Sequence, residues 1–171
     1  TIFGGNGNDS ISGGAGSDSL DGGDGTDWLF NFFRTSGVVV NLSTNSGDSG
    51  ADQVFNFENV QGSNFSDTIT GNSGNNIIEG LHGADQIFGL AGNDYLYGNA
   101  GDDVLTDDDA ASANDEDIFA PGVGFDTVKG DGNDFVDYFD ATSGVIVDLS
   151  ATGDAQTGGG ADGDTLSGIL S

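Results

Sequence analysis

One aliphatic residue in every nine stands out from a background of glycine, serine, asparagine and aspartate. Ile69, Ile78, Ile87, Leu96 and Leu105 keep this interval through residues 62–106, and Ile2, Ile11, Leu20 and Leu29 keep it at the start of the chain. Helices repeat near 3.6 residues and strands near 2, so this interval belongs to neither alone. It predicts one short supersecondary unit stacked on copies of itself. In register, the central stretch reads GSNFSDTIT, GNSGNNIIE, GLHGADQIF, GLAGNDYLY, GNAGDDVLT. The earlier one reads GGNGNDSIS, GGAGSDSLD, GGDGTDWLF from Gly4. The last three residues of each block predict a strand whose central aliphatic points inward, and the first six predict a glycine-rich loop. Two blocks complete one turn, so loops eighteen residues apart are expected side by side on one edge.

The pattern divides the chain. Residues 1–30 form one nonapeptide array and 62–106 a second. Between them, residues 31–61 lose the register, and GVVVNLS (37–43) and ADQVFNFENV (51–60) read as strands. This insert is either a ligand-binding face or a longer-strand coil that continues the solenoid. Residues 107–171 hold degenerate repeats and a second copy of the insert. There DDDAASANDE (107–116) reads as a solvated loop rather than a further metal site, and DIFAP as half a repeat. GVGFDTVK and GDGNDFVD read as eight-residue variants that direct Val128 and Val136 inward. GDGTDWLFNFFRTSGVVVNLS from Gly23 aligns without gaps on GDGNDFVDYFDATSGVIVDLS from Gly130, and ADQVFNF corresponds to GDTLSGI. Both ends fall inside repeats, so a piece of a longer chain is expected.

Charge changes the picture. Twenty-nine acids face two basic residues, Arg34 and Lys129, for a net charge of −27, and glycine accounts for 32 of 171 residues. Such a chain argues for a fold conditional on cations. The lack of a basic patch excludes nucleic-acid binding by phosphate neutralisation and disfavours anionic membranes. No apolar run approaches spanning length, so membrane insertion is not expected. With no cysteine, metal rather than disulfides must act as the staple.

The sixth place of each block supplies the candidate ligands: Asp9, Asp18, Asp27, Asp67, Asn76, Asp85, Asp94 and Asp103, with Asp126 and Asp134 in the variants. Loop carbonyls beside Gly5, Gly7, Gly14, Gly16, Gly23, Gly25, Gly83, Gly92 and Gly101 are expected to complete the cages, because glycine permits the tight turns. An acidic, all-oxygen, flexible cage suits Ca²⁺ better than Mg²⁺ or a transition metal, and several ions are expected. The eighteen-residue rule pairs Asp9 with Asp27, Asp85 with both Asp67 and Asp103, and Asn76 with Asp94. It leaves Asp18 without a clear partner.

These blocks resemble the GGxGxDxUx nonapeptides of the RTX (repeats-in-toxin, hemolysin-type) family of secreted bacterial proteins. The resemblance implies an all-β, right-handed parallel β-roll that binds calcium and folds on binding it. It also implies an extracellular or cell-surface location reached by type I secretion. The roll is then a stalk of a large secreted or surface protein such as an adhesin. The alternative is an accessory module of a secreted protease, lipase or alginate-epimerase-like enzyme.

No catalysis is expected from this chain itself. The single histidine, His82, stands at a variable loop position without a second His or Cys nearby. Neither GxSxG nor HExxH occurs. The aromatics Trp28, Phe30, Phe32 and Phe33, with Tyr138 and Phe139 in the second copy, read either as a stacking platform for a polysaccharide or cell-surface ligand or as rings sealing the core beside the insert.

Overall fold

The computed structural model describes residues 1–48, 52–107, 115–139 and 164–169, and no α-helix occurs among them. The first eight strands are β1 (Ile2–Asn6), β2 (Ser10–Ile11), β3 (Ser19–Asp24), β4 (Trp28–Phe30), β5 (Val39–Asn41), β6 (Ser46–Gly47), β7 (Asp52–Phe55) and β8 (Asn59–Gln61). Then come β9 (Thr68–Thr70), β10 (Ile77–His82), β11 (Gln86–Phe88), β12 (Tyr95–Ala100), β13 (Val104–Thr106), β14 (Ile118–Ala120), β15 (Thr127–Val136) and β16 (Thr165–Ile169).

The strands lie on two faces of a parallel β-roll. Sheet I runs β1-β3-β7-β6-β5-β9-β11-β13-β15, with β16 beyond, and sheet II runs β2-β4-β8-β10-β12-β14-β15. The long strand β15 belongs to both, pairing β13 on one face and β14 on the other. Partners in the arrays are eighteen residues apart: Ile2 lies opposite Leu20, Ile87 opposite both Ile69 and Leu105, and Ile78 opposite Leu96. The exceptions to parallel pairing are the bonds of β6 to β5 and β7. The insert is therefore a coil of the roll with extra strands on one side. Sheet I takes in β5 and β6 between β7 and β9, while sheet II passes from β4 through β8 to β10 without a gap.

The core is a narrow aliphatic column. Ile69, Ile78, Ile87, Leu96, Leu105 and Val128 are each 0% exposed, because alternation along a three-residue strand turns its middle side chain inward. The same alternation corrects the expectation that rings seal the core. Trp28 and Phe30 flank the buried Leu29 and so stack on the outside of sheet II, with centroids 5.6 Å apart. Phe32 and Phe33 are 44% and 84% exposed.

A second correction concerns residues 121–129. They form a full nine-residue unit, PGVGFDTVK, with Pro121 at the place of the leading glycine. Phe119 and Val128, nine apart, lie opposite Leu96 and Leu105. Asp134 alone follows at eight, where the register shifts between Lys129 and Asp134. The second copy of the insert, including GVIVDLS, lies outside the described residues, but β16 sets Leu166 against Val128 as β7 sets Val54 against Leu20.

Candidate metal centres

In each repeat the sixth-place acid precedes the inward aliphatic by two residues. Positions i and i+2 of a strand share a face, so the acid also points inward, at the edge of the core. Asp27, Asp67, Asp85, Asp94, Asp103, Asp117, Asp126 and Asp134 are all buried to 2% exposure or less.

Burial is made possible by a ladder. The backbone N–H of each sixth residue donates to the carboxylate of its counterpart one turn on. Along one edge, Asp9 N–H donates to Asp27 Oδ1 at 2.7 Å and Asp27 N–H to Glu58 Oε2 at 2.8 Å. The same edge continues from Asn76 N–H to Asp94, Asp94 N–H to Asp117, and Asp117 N–H to Asp134, at 2.7, 2.7 and 3.1 Å. On the opposite edge, Asp67 N–H donates to Asp85 Oδ1, Asp85 N–H to Asp103 Oδ1, Asp103 N–H to Asp126 Oδ1 and Asp126 N–H to Asp164 Oδ1, each at 2.8 Å. Asp18 does have a partner: its N–H donates to Asp52 Oδ1 at 2.8 Å, thirty-four residues away because the insert intervenes.

Two kinds of loop hang on this ladder. In the first, the second and fourth residues both take positive φ: Gly5 and Gly7, Gly23 and Gly25, Leu81 and Gly83, Leu90 and Gly92, Asn99 and Gly101, Gly122 and Gly124. Gly14 and Gly16, in the loop ending at Asp18, do the same. For Leu81 and Leu90 this conformation carries steric strain. The arrangement turns loop carbonyls toward the next turn, since a Cβ built on Gly25 would strike Gly7 O and one on Gly101 would strike Gly83 O. Beside these carbonyls, Asp9, Asp27, Asp85, Asp103 and Asp126 each keep a buried Oδ2 with no hydrogen-bond donor. That oxygen also explains the leading glycine. A Cβ on Gly4 or Gly22 would sit 2.6 Å from Oδ2 of Asp9 or Asp27.

The second kind closes on itself. In GSNFSD, Asp67 accepts from Ser63 N–H at 2.6 Å, from Ser63 Oγ at 2.8 Å and from Val38 N–H at 2.7 Å. In GNSGNN, Asn76 Oδ1 accepts from Asn72 N–H at 2.8 Å, while its Nδ2 donates to Glu58 O at 2.7 Å. None of Ser63, Phe65, Asn72 and Gly74 has positive φ. A polar side chain at the second place does by hydrogen bonding what a cation would do elsewhere. Sequence spacing placed Asp67 and Asn76 with the other ligands, but their side-chain oxygens are already engaged.

The ladder also contains acids that spacing missed: Asp52, Glu58, Asp117 and Asp164. Each stands two residues before an inward side chain (Val54, Val60, Phe119, Leu166), so an acid-x-apolar triplet without its glycines was the available signal. At Asp52 the second oxygen is taken by Arg34 Nη2 at 2.7 Å. At the equivalent Asp164, Tyr138 Oη donates to Oδ2 at 2.9 Å. Asp107, expected in a solvated loop, is buried at 7% exposure. Asp108 to Asn114 of that loop lie outside the described residues.

Without a cation these carboxylates resist ionisation. Burial, together with the neighbouring Asp103 and Asp67, pushes Asp85 up to about 7. Burial pushes Asp103 to about 6, with Asp102 contributing. Asp117 and Asp126 reach about 8, through burial first and then through Asp94 and Asp164 respectively. Buried carboxylate oxygens lacking donors, beside converging carbonyls, make a hard all-oxygen donor set that fits Ca²⁺.

A parallel β-roll with carboxylates stacked along both edges defines a class of cation-ordered solenoid. Residues 1–30, 61–96 and 82–106 match the family model of the RTX calcium-binding nonapeptide repeat, in four copies. These segments therefore carry RTX calcium-binding repeats, which indicate a Ca²⁺-binding β-roll module. No curated protein matches the chain.

Proposed function

We propose that this roll is an extracellular structural segment, a stalk within a large secreted or surface protein, that is expanded without calcium and stiffens on binding it. The observation that carries this reading is the row of donor-free Oδ2 atoms on Asp9, Asp27, Asp85, Asp103 and Asp126. They are the ligands we assign, with loop carbonyls of the adjoining turns. Asp18, Asp94 and Asp134 occupy the same place on the ladder. One buried aliphatic per repeat supplies too little apolar burial to offset backbone entropy, so ion binding must supply the difference by linkage. Sites with dissociation constants on the order of 10⁻⁴ to 10⁻³ M stay empty at cytosolic calcium and fill outside the cell. That difference suits export of an unfolded chain by type I secretion.

Circular dichroism and small-angle scattering in EDTA, then in excess Ca²⁺, test the proposal. A β spectrum and compact dimensions that persist under chelation at pH 8 would refute it. A second reading, an accessory module that helps a secreted enzyme hold polysaccharide, draws support from the aromatic pairs Trp28–Phe30 and Tyr95–Tyr97 on the outside of sheet II. Glycan-array binding abolished by Trp28→Ala would favour it.

A further inference from the structure

We propose that Asp107, Asp117 and Asp134 form a carboxylate site for one divalent cation, in which a side chain provides what loop carbonyls provide elsewhere in the roll. The proposal rests on the calcium reading above. All three residues are buried, and one carboxylate oxygen from each lies within 4.8 Å of the others. Asp117 is 1% exposed. Its Oδ1 accepts from Asp94 N–H at 2.7 Å, and its Oδ2 has no donor.

Register explains why Asp107 is aimed at that oxygen. Asp107 N–H donates to Lys129 O at 2.9 Å, just as Gly89 N–H donates to Thr106 O at 3.0 Å one turn earlier. Asp107 thus occupies the place of the leading glycine. At that place in other turns, a Cβ would stand against the sixth-place carboxylate, as at Gly4 and Gly22. The connection that follows is also longer here. Asp94 and Asp117 are 23 residues apart, against 18 for Asn76 and Asp94.

Three buried carboxylates at this separation repel one another when ionised, so they must take up protons or hold a cation among them. Hard oxygen donors of high negative charge select Ca²⁺ or a similar ion, and affinity rises with the number of charged ligands. This ion therefore binds before those of the repeats. It pins the edge at the turn where the regular array passes into residues 115–139.

The test is calorimetric titration of the intact chain with Ca²⁺ alone. The wild type is expected to show one ion about tenfold tighter than the rest. Asp107→Asn loses that ion and keeps the weaker ones. Asp107→Gly, which restores the residue found in neighbouring turns, is the second variant and has to lose the same ion even if Asp107→Asn folds poorly. Wild-type binding without a tight class, or variants that titrate as wild type does, overturns this proposal and leaves the function standing. A wild type that binds no calcium overturns both.

Discussion

Arg34 Nη2 lies 2.7 Å from Asp52 Oδ2, and its Nη1 lies 3.0 Å from Asp48 Oδ2. One of two basic side chains in the sequence thus stands on the ladder, at the oxygen that several other rungs leave without a donor. A guanidinium here is a cation that calcium removal cannot take away. With the self-closed loops ending at Asp67 and Asn76, it makes the middle of the roll the part least dependent on metal.

Arg34→Ala leaves the Asp52 carboxylate buried at 4% exposure without its counter-charge. The expected loss is about 3 kcal/mol, read from urea unfolding in calcium just sufficient to fold the wild type. Since the defect is a missing cation, higher calcium should recover part of it. A variant as stable as wild type would show that the ion pair is dispensable.

Asp85 receives the N–H of Asp67, and its own N–H goes to Asp103. Asp85→Ala should therefore lose the ion between its loop and that of Asp103, break two rungs of the ladder, and raise the calcium midpoint for folding well above wild type. Asp18→Ala should lose at most one, because its partner Asp52 is held by Arg34. Asp67→Asn, whose oxygens are engaged by Ser63 and Val38, should shift the midpoint least. Calorimetry alongside circular dichroism ranks the three. Equal damage from Asp18→Ala and Asp85→Ala would show that the two rungs do not differ as drawn.

Acid should stabilise the metal-free roll. The carboxyls of Asp85, Asp117 and Asp126 titrate at about 7, 8 and 8 in the fold, against an ordinary 3.8. The folded state therefore holds protons that the unfolded state releases. The stability these groups contribute is complete below about pH 4 and is lost as pH rises to about 8. In EDTA, the β signal should grow as pH falls from 8 to 5, while in calcium the apparent affinity should weaken over the same range. A chelated chain more ordered at pH 8 than at pH 5 would contradict this.

Gly22, the leading glycine of its repeat, should tolerate no side chain. A Cβ on Gly22 would strike Asn56 O and stand 2.6 Å from Asp27 Oδ2, so Gly22→Ala should cost about 2 kcal/mol or more. At Gly74 the nearest atom is Asn72 Oδ1 at 3.3 Å, and φ is not positive. Gly74→Ala should be nearly neutral. Thermal unfolding in excess calcium compares them, and similar shifts for both would count against the close contact.

Periodicity by itself determined the regular part of this protein. The interval from Ile69 to Leu105 fixes the strand centres. The acid two residues before each fixes which loops carry carboxylates, and the eighteen-residue pairing follows because two loops and two strands make one turn. These are local relations, written wherever the chain repeats. Tertiary structure decided the rest, because an insertion changes which turn stacks on which. Separations of 34, 31, 29, 23 and 38 residues join Asp18 to Asp52, Asp27 to Glu58, Val38 to Asp67, Asp94 to Asp117 and Asp126 to Asp164. No fixed spacing announces them. Composition could not show that Ser63 and Asn72 close their own loops, that Arg34 reaches Asp52, or that Asp107 enters the edge instead of facing water. Those outcomes depend on which donor lies within about 3 Å of a buried carboxylate oxygen, and only the stacking of one turn on the next sets that distance.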